Sequence, residues 1–343
     1  MKKTTNRVIS TFGNRALIEI DNKIIPCLIR TKKQSVVTND FVTVDKNTQP
    51  NLVTSIFERE NLFFRQNISK QKLIAANLDS LYIVIASEPM FSSDTLFSML
   101  ASALKEKISV SIVLNKVDLI EQTEKIKKTL NLISPFRIES LNSSSNLQNQ
   151  VPLFDPLNIQ VIMTNTFFKD GINDLKKSIG FRGKNKTSCS VALVGQSGTG
   201  KSSIINLLVP DAKIKVAAIS EFLNTGRHTT SSSRSYLISE GIKNKVWLID
   251  TPGIEKFGIS HLTLDDIKRV FPEWAMINKE IGNCKFANCK HDLEPECQIQ
   301  KLLADLSKSK KNHFHYKNLR TRLKIWLSLL SVISLKDWTN TPK

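Results

Sequence analysis

Between positions 195 and 202 the chain reads Gly195-Gln196-Ser197-Gly198-Thr199-Gly200-Lys201-Ser202, a complete GxxxxGK[ST] string. The apolar run Val191–Val194 precedes it and Ile204-Ile205-Asn206-Leu207-Leu208 follows, the strand and helix that this motif requires. Glycines in such a turn let successive backbone N–H groups curl round a phosphate, aided by the positive end of the helix. Lys201 then reaches the β- and γ-phosphates and the Ser202 hydroxyl ligates Mg²⁺, with Ser203 beside it on the loop. A second string, Asp250-Thr251-Pro252-Gly253, follows the strand-like Lys245–Ile249. An acidic residue there holds Mg²⁺ through water, and the Gly253 N–H senses a γ-phosphate. Between the two lies Gly226-Arg227-His228-Thr229-Thr230, a polar, hydroxyl-rich loop of the kind that gives a threonine to Mg²⁺. Thr230 is the expected ligand and Thr229 the alternative.

A third string, Asn115-Lys116-Val117-Asp118, closes the run Val110–Leu114. The Asp118 carboxylate can accept both the N1–H and the amino hydrogens of guanine. Adenine would leave it unpaired, a difference that separates the two bases by about 10⁴ or more. Asn115 would address the other edge of the base and Lys116 would lie against the ring. A helix N-cap would explain the string on its own; beside the other two, guanine recognition is the better reading. The order is unusual, because Asn115 precedes Gly195 by 80 residues. Either the motifs serve different sites or one sheet is circularly permuted, and permutation keeps the chemistry because spatial neighbours fix a site. In the permuted chain the segment ending near Gly258 runs straight into the C-terminal module, which predicts that loss of the γ-phosphate pulls on that module. Ile254 stands where many GTPases carry the glutamine that orients water, so unaided turnover should be slow. His228 is the candidate substitute, completing a catalytic set with Lys201 and Thr230. Its other reading is a brace for the loop or a contact to RNA.

Cys284, Cys289, His291 and Cys297 supply three thiolates and an imidazole within 14 residues. A tetrahedral Zn²⁺ closed by such a set has no open position, so the site is structural. Reduced, unliganded cysteines are the alternative. Cys27 and Cys189 read as buried thiols. Downstream, Lys308–Arg322 interleaves basic and aromatic residues. It would either hold phosphates and stack on splayed bases, or pack Phe314, Tyr316 and Leu319 on the cysteine knot.

The elements that must position these groups fall into three regions, predicted at 1–70, 71–258 and 259–343. Short strand-like runs (Ala16–Ile20, Ile24–Ile29, Phe41–Val44) with turns at Asp21-Asn22 and Thr38-Asn39-Asp40 predict a small OB-like barrel. From about residue 72, apolar runs at Leu81–Ala86, Val110–Leu114, Ile159–Met163 and Val191–Val194 alternate with helical stretches such as Thr95–Lys105 and Glu121–Leu132. That alternation means an α/β layer with a mainly parallel sheet covered on both faces. Asn142–Gln150 is a polar loop, and after about 258 the chain reads as helical with the Cys/His interruption.

Length and charge agree with such a chain. It has 343 residues and a net charge of +18. Residues 1–70 hold 12 Lys and Arg against 6 Asp and Glu, and residues 276–343 hold 13 against 6, so the ends are more basic than the middle. That profile suits a catalytic core flanked by modules that grip a polyanion, or else solvated lysine faces. Five scattered cysteines exclude a disulfide scaffold. Neither a membrane span nor the apolar core of a secretory signal is evident, which predicts a cytoplasmic protein without membrane contact.

Ala75-Ala76-Asn77-Leu78-Asp79, Asn115–Asp118, Gly195–Ser203, Gly226–Thr230, Asp250–Gly253 and the cysteine cluster together resemble the ribosome small-subunit-dependent GTPase A family, circularly permuted GTPases of 30S maturation. The resemblance spans about residues 75–297 and implies an OB-like barrel, a permuted G domain and a helical domain carrying one structural Zn²⁺. It also implies GTP hydrolysis to GDP and phosphate with Mg²⁺, stimulated by the 30S subunit, with contacts to its rRNA. A monomer is expected. Two features depart from the family: Thr164-Asn165-Thr166-Phe167 replaces a Ser/Ala-containing stretch, and the tail Lys324–Leu335 is unusually apolar. The rivals are an RNA-bound GTP switch with negligible hydrolysis and a P-loop ATPase or kinase, the latter opposed by Asp118.

Overall fold

In the computed structural model of the chain, residues 6–30, 35–135, 157–182, 188–210, 232–238 and 245–339 are described. Five strands open it: β1 (Asn6–Phe12), β2 (Arg15–Ile20), β3 (Lys23–Ile29), β4 (Phe41–Asp45) and β5 (Leu52–Ile56). They pair in the order β1-β2-β3-β5-β4, and β4 returns to β1, closing the barrel. Pro26 is tolerated inside β3 because the β3–β5 pairing is confined to Leu28 and Ile29. Val8, Ala16, Ile18, Ile20, Val42 and Val53 fill the barrel.

A hairpin follows, β6 (Leu62–Gln66) and β7 (Gln71–Ala76). Asn39 and Asn77 stitch its end to the barrel. Asn39 Nδ2 donates to the carbonyls of Ala76 at 2.7 Å and Asn77 at 3.0 Å, while Asn77 Nδ2 donates to Asn39 O at 3.1 Å.

The central layer is the predicted parallel sheet. Its strands are β8 (Ser80–Ala86), β9 (Ser109–Asn115), β10 (Gln160–Met163), β11 (Ser188–Val194), β12 (Arg234–Ile238) and β13 (Lys245–Asp250), in the order β10-β9-β8-β11-β13-β12. All neighbours are parallel except β12, which runs antiparallel to β13 and pairs on its free side with β1 at Ser10↔Arg234. Barrel and layer therefore share one eleven-stranded sheet. Strand β8 shows why its sequence is continuously apolar. Leu81, Ile83 and Ile85 face helices α1 (Ser93–Lys105) and α2 (Ile120–Ile133), whereas Tyr82 and Val84 face α3 (Ile172–Arg182) and α4 (Lys201–Leu208).

Arg7 joins barrel to sheet from the inside. It is 6% exposed, lies over the rings of Phe41 and Trp247 at 4.6 and 5.0 Å, and donates to Asn39 Oδ1 and to Ser190 Oγ. Burial lowers its pKa to about 10 against the pull of Glu19 and Asp79.

The chain ends in helices, as expected: α5 (Leu264–Lys268), α6 (Glu273–Ile281), α7 (Gln298–Lys308) and α8 (His313–Thr339). Thr263 and Asp266 form a reciprocal cap on α5. The apolar tail has a partner after all: Ile325, Trp326, Leu329 and Leu330 are buried in the core that includes α1 and α2. Within Lys308–Arg322, Leu319 is buried in that same core and Tyr316 is half-buried against it. His313, Lys317 and Arg320 stay exposed, but Arg322 is fully buried. Its guanidinium pairs with Glu273, donates to Ile133 O at 2.9 Å and Val270 O at 2.7 Å, and lies over the rings of Phe271 and Phe97. Burial pushes the Glu273 carboxyl above its ordinary range, against the pull of Arg322. Among the described residues no helix is long and apolar enough to cross a membrane.

Arg322→Met leaves Glu273 buried without its partner and should cost about 3–5 kcal/mol in urea unfolding. Adding Glu273→Leu should recover most of that loss; equal loss in both variants would show that the pair is not what binds α8 to α6.

Candidate functional site

The three motifs emerge at one end of the parallel strands. Gly195–Gly200 links β11 to α4, Asn115 ends β9, and Asp250 ends β13. The reversed order in sequence therefore does not separate them in space. Asn115, fully buried, donates from Nδ2 to Thr199 O at 2.9 Å and accepts at Oδ1 from Thr164 Oγ1 at 3.1 Å. Its amide is thus engaged between the Gly195–Ser202 loop and the loop after β10. Gly200 (φ +91°) is required here twice over, since a Cβ would stand 2.2 Å from Asn115 Nδ2. The Asp250–Gly253 loop docks on the same strand: Thr251 Oγ1 donates to Leu193 O at 2.8 Å and Ile254 N to Gly195 O at 3.0 Å. Ile254 is 3% exposed, its side chain turned into the core.

Lys201 is buried and its Nζ donates to Gly195 O and Gln196 O, both at 2.8 Å. Burial lowers its pKa, with Asp250 opposing. Burial likewise raises the Asp250 carboxyl to about 6, with Lys201 pulling it down. A half-buried carboxylate short of compensation at the mouth of a phosphate-type loop fits a divalent cation, as do the exposed Ser202 and Ser203 at the start of α4. Asp118 is exposed, and Lys116 (φ +61°) and Val117 are half-buried beside it.

Thr164, which the sequence marks only as the start of the stretch that departs from the family, has a bracing role here. Its N–H donates to Leu114 O and its carbonyl accepts from Val117 N, so the loop after β10 braces the Asn115–Asp118 turn from below. Asn165 N to Asp170 O at 2.9 Å closes that loop, and Asn165 Oδ1 caps the amides of Phe167 and Phe168. A threonine at the end of an edge strand gives no signal of its own. Gly226, Arg227, His228, Thr229, Thr230 and the polar stretch Asn142–Gln150 lie outside the described residues.

Among the C-terminal helices the cysteine cluster assembles as expected. The ligand atoms of Cys284, Cys289, His291 and Cys297 lie within 4.8 Å of one another. Cys284 Sγ is 3.9 Å from Cys297 Sγ and 3.7 Å from His291 Nδ1, and Cys297 Sγ is 3.5 Å from that nitrogen. A tetrahedron with metal–sulfur bonds of about 2.3 Å has edges near 3.8 Å, so the four groups fit one metal ion. Gln298 N donates to Cys284 Sγ, Gln300 holds the His291 carbonyl, and Trp326 Nε1 donates to Lys290 O at 2.7 Å, locking the knot to α8. Burial pushes the Cys289 thiol up to about 12 and the His291 imidazole down. Neutral His291 suits a ligand, and a cation reverses the balance for the thiols.

Exhaustive chelation should therefore lower the unfolding temperature, and Cys297→Ser should reproduce the drop without further sensitivity to chelator. An unchanged melting curve with no bound metal by elemental analysis would remove the metal from the fold.

Among known proteins, the RsgA GTPase family model matches residues 56–156 and 137–260. A small ribosomal subunit biogenesis GTPase RsgA of Burkholderia pseudomallei (strain K96243) is 34% identical over 307 residues, covering 89% of this chain and 87% of the relative. Its counterpart from Paraburkholderia phytofirmans is 32% identical over 316 residues, 91% of each chain. Two solved structures share the fold. YjeQ from Thermotoga maritima aligns with a TM-score of 0.57 at 20% identity, covering 95% of this chain and 98% of that one. YloQ, described as a circularly permuted GTPase, aligns with a TM-score of 0.53 at 18% identity, covering 99% and 96%. With its permuted motifs gathered at one sheet end and this likeness along nine-tenths of its length, the chain belongs to the RsgA GTPase family.

Proposed function

We propose that this protein hydrolyses GTP to GDP and phosphate while bound to the 30S ribosomal subunit, in late maturation of that subunit. The observation that carries the reading is the bond from Asn115 to Thr199 O, which ties the base-reading turn to the phosphate loop. Asp118 holds the guanine edge, with Asn115, Lys116 and Val117 shaping that turn. Backbone N–H groups of Gly195, Gln196, Ser197, Gly198, Thr199 and Gly200 cradle the phosphates, and Lys201, Ser202 and Ser203 begin the helix beneath them. Ser202, Thr230 and Asp250 would hold Mg²⁺, which neutralises charge developing on the phosphates. Gly253 reads the γ-phosphate through its N–H. Lys201 and Thr230 serve the reacting group, and His228 takes the water-orienting place that Ile254, buried and apolar, cannot fill.

One structural Zn²⁺ in the Cys284, Cys289, His291 and Cys297 knot supports the helical domain. The division is a barrel at 1–70, a permuted G domain at 71–258 and the helical domain at 259–343. The chain works as a cytoplasmic monomer without membrane contact, and its basic ends grip rRNA. Buried Ile254 also favours a second reading, a GTP-controlled RNA-binding switch with negligible hydrolysis.

Turnover with and without purified 30S subunits, at two salt concentrations, separates these. Subunits should raise turnover at least tenfold and the effect should weaken as salt rises, because phosphate contacts release counterions. No hydrolysis with subunits present would leave only the switch, and displacement of GDP by ADP at equal concentration would overturn guanine recognition.

A further inference from the structure

The described stretches that follow the Gly226–Thr230 and Asp250–Gly253 motifs in sequence both meet the N-terminal elements. Just beyond the Gly226–Thr230 stretch, Thr38 Oγ1 donates to Ser233 O at 2.8 Å, and Arg234 pairs with Ser10 of β1. Thr38 is 2% exposed and Ser233 7%. Beyond Gly253, Arg65 Nη1 donates to Lys256 O at 2.6 Å and the Phe63 and Phe257 rings lie 5.3 Å apart. Gln66 N then donates to Gly258 O at 2.9 Å, and Gln66 O accepts from Ser260 N at 3.0 Å and Ser260 Oγ at 2.7 Å. Gly258 allows this approach, since a Cβ would stand 1.8 Å from Asn67 Oδ1.

The anchors are themselves joined. Ala76 N donates to Thr38 O at 3.1 Å, beside the Asn39–Asn77 stitch, so the 37–40 turn of the barrel and the end of β7 form one rigid node. Behind the Asp250–Gly253 loop lies a cavity of about 140 Å³, walled by Thr11 and Thr38 of the barrel, Arg65 and Ile74 of the hairpin, and Gly253 and Ile254 of the loop itself. The cavity thus puts the loop, the barrel and the hairpin around one shared space.

We propose that Thr38 and Arg65 are positioning residues for GTP hydrolysis, acting through the carbonyls of Ser233 and Lys256 on the two segments that the proposed function sets beside the γ-phosphate. A load on the barrel or hairpin is thereby delivered to those segments together, and nucleotide state is returned to the barrel by the same bonds. The assignment rests on the subunit-stimulated GTPase reading above and names the route by which stimulation travels, through the N-terminal elements.

The test uses the full chain with Thr38→Val, Thr38→Ser and Arg65→Ala. Thr38→Val should lower subunit-stimulated kcat about fivefold, the worth of one buried hydrogen bond, while KM for GTP and subunit affinity stay within about twofold. Thr38→Ser keeps the hydroxyl and should restore kcat, and Arg65→Ala should lower it independently. Subunit affinity falling in step with kcat, unchanged stimulation, or failure of serine to rescue would each overturn the proposal. Hydrogen exchange without subunits separates this claim from the functional reading. In the parent chain, replacing GDP by a non-hydrolysable GTP analogue should alter protection at residues 37–40 and 63–66, and Thr38→Val with Arg65→Ala should abolish the change. Identical exchange in both nucleotide states would sink the coupling whatever subunits do.

Discussion

One buried side chain carries the site. Asn115 ends strand β9 with its amide shared between Thr199 of the phosphate loop and Thr164 of the loop after β10. A buried amide with both ends satisfied is costly to disturb, since losing either partner leaves a polar group unpaired in the interior. The two loops can therefore be displaced only together. Circular permutation is tolerated for the same reason: what matters to the site is the neighbourhood of β8, β9, β11 and β13, and parallel pairing between these strands preserves it whatever order the chain visits them.

Around this centre the molecule is braced by buried charges. Arg7 fastens the barrel to β11 and β13 with cation–π contacts and hydroxyl partners, and Arg322 fastens α8 to α1, α2 and α6 through Glu273, two carbonyls and two rings. Each guanidinium spreads its charge over several partners, the condition under which a buried cation is retained. These two bases are structural, so they do not add to the surface charge of the two ends. The G layer is thus held between two modules, and the metal knot is tied into the second of them through Trp326.

Much of this was legible because the motifs announce their context. A strand before and an apolar helix after Gly195–Ser202 fix its place at a sheet end, and β8, β9 and β11 read clearly as continuous apolar runs. Short alternating strands also announced the barrel. The hairpin β6–β7 was not legible: Leu62-Phe63-Phe64 has no alternation, its register shifts between Phe63 and Phe64, and its second strand opens with Gln71-Lys72. Nor was β12, whose Ser233-Arg234-Ser235 start continues a hydroxyl-rich run that resembles a loop. Arg7 and Arg322 counted as surface charge because composition cannot say which arginine finds aromatic faces and carbonyls. The apolar tail looked anomalous for want of a visible partner, and the partner is the outer face of α1 and α2, far away in sequence. Thr164 stood out only as part of a stretch that departs from the family, and its bracing role was hidden because a bracing hydroxyl has no pattern.

The central claim is that Asp118 and Lys201 serve one nucleotide. Xanthine differs from guanine by presenting a carbonyl where guanine carries its amino group, so an amide at 118 complements xanthine as the carboxylate complements guanine. The most direct measurement is equilibrium binding of XDP and GDP to Asp118→Asn, alone and combined with Lys201→Ala. The account predicts that the single change exchanges GDP for XDP and that the second change abolishes binding of both. Undiminished GDP affinity in Asp118→Asn, or XDP binding indifferent to Lys201, would contradict it.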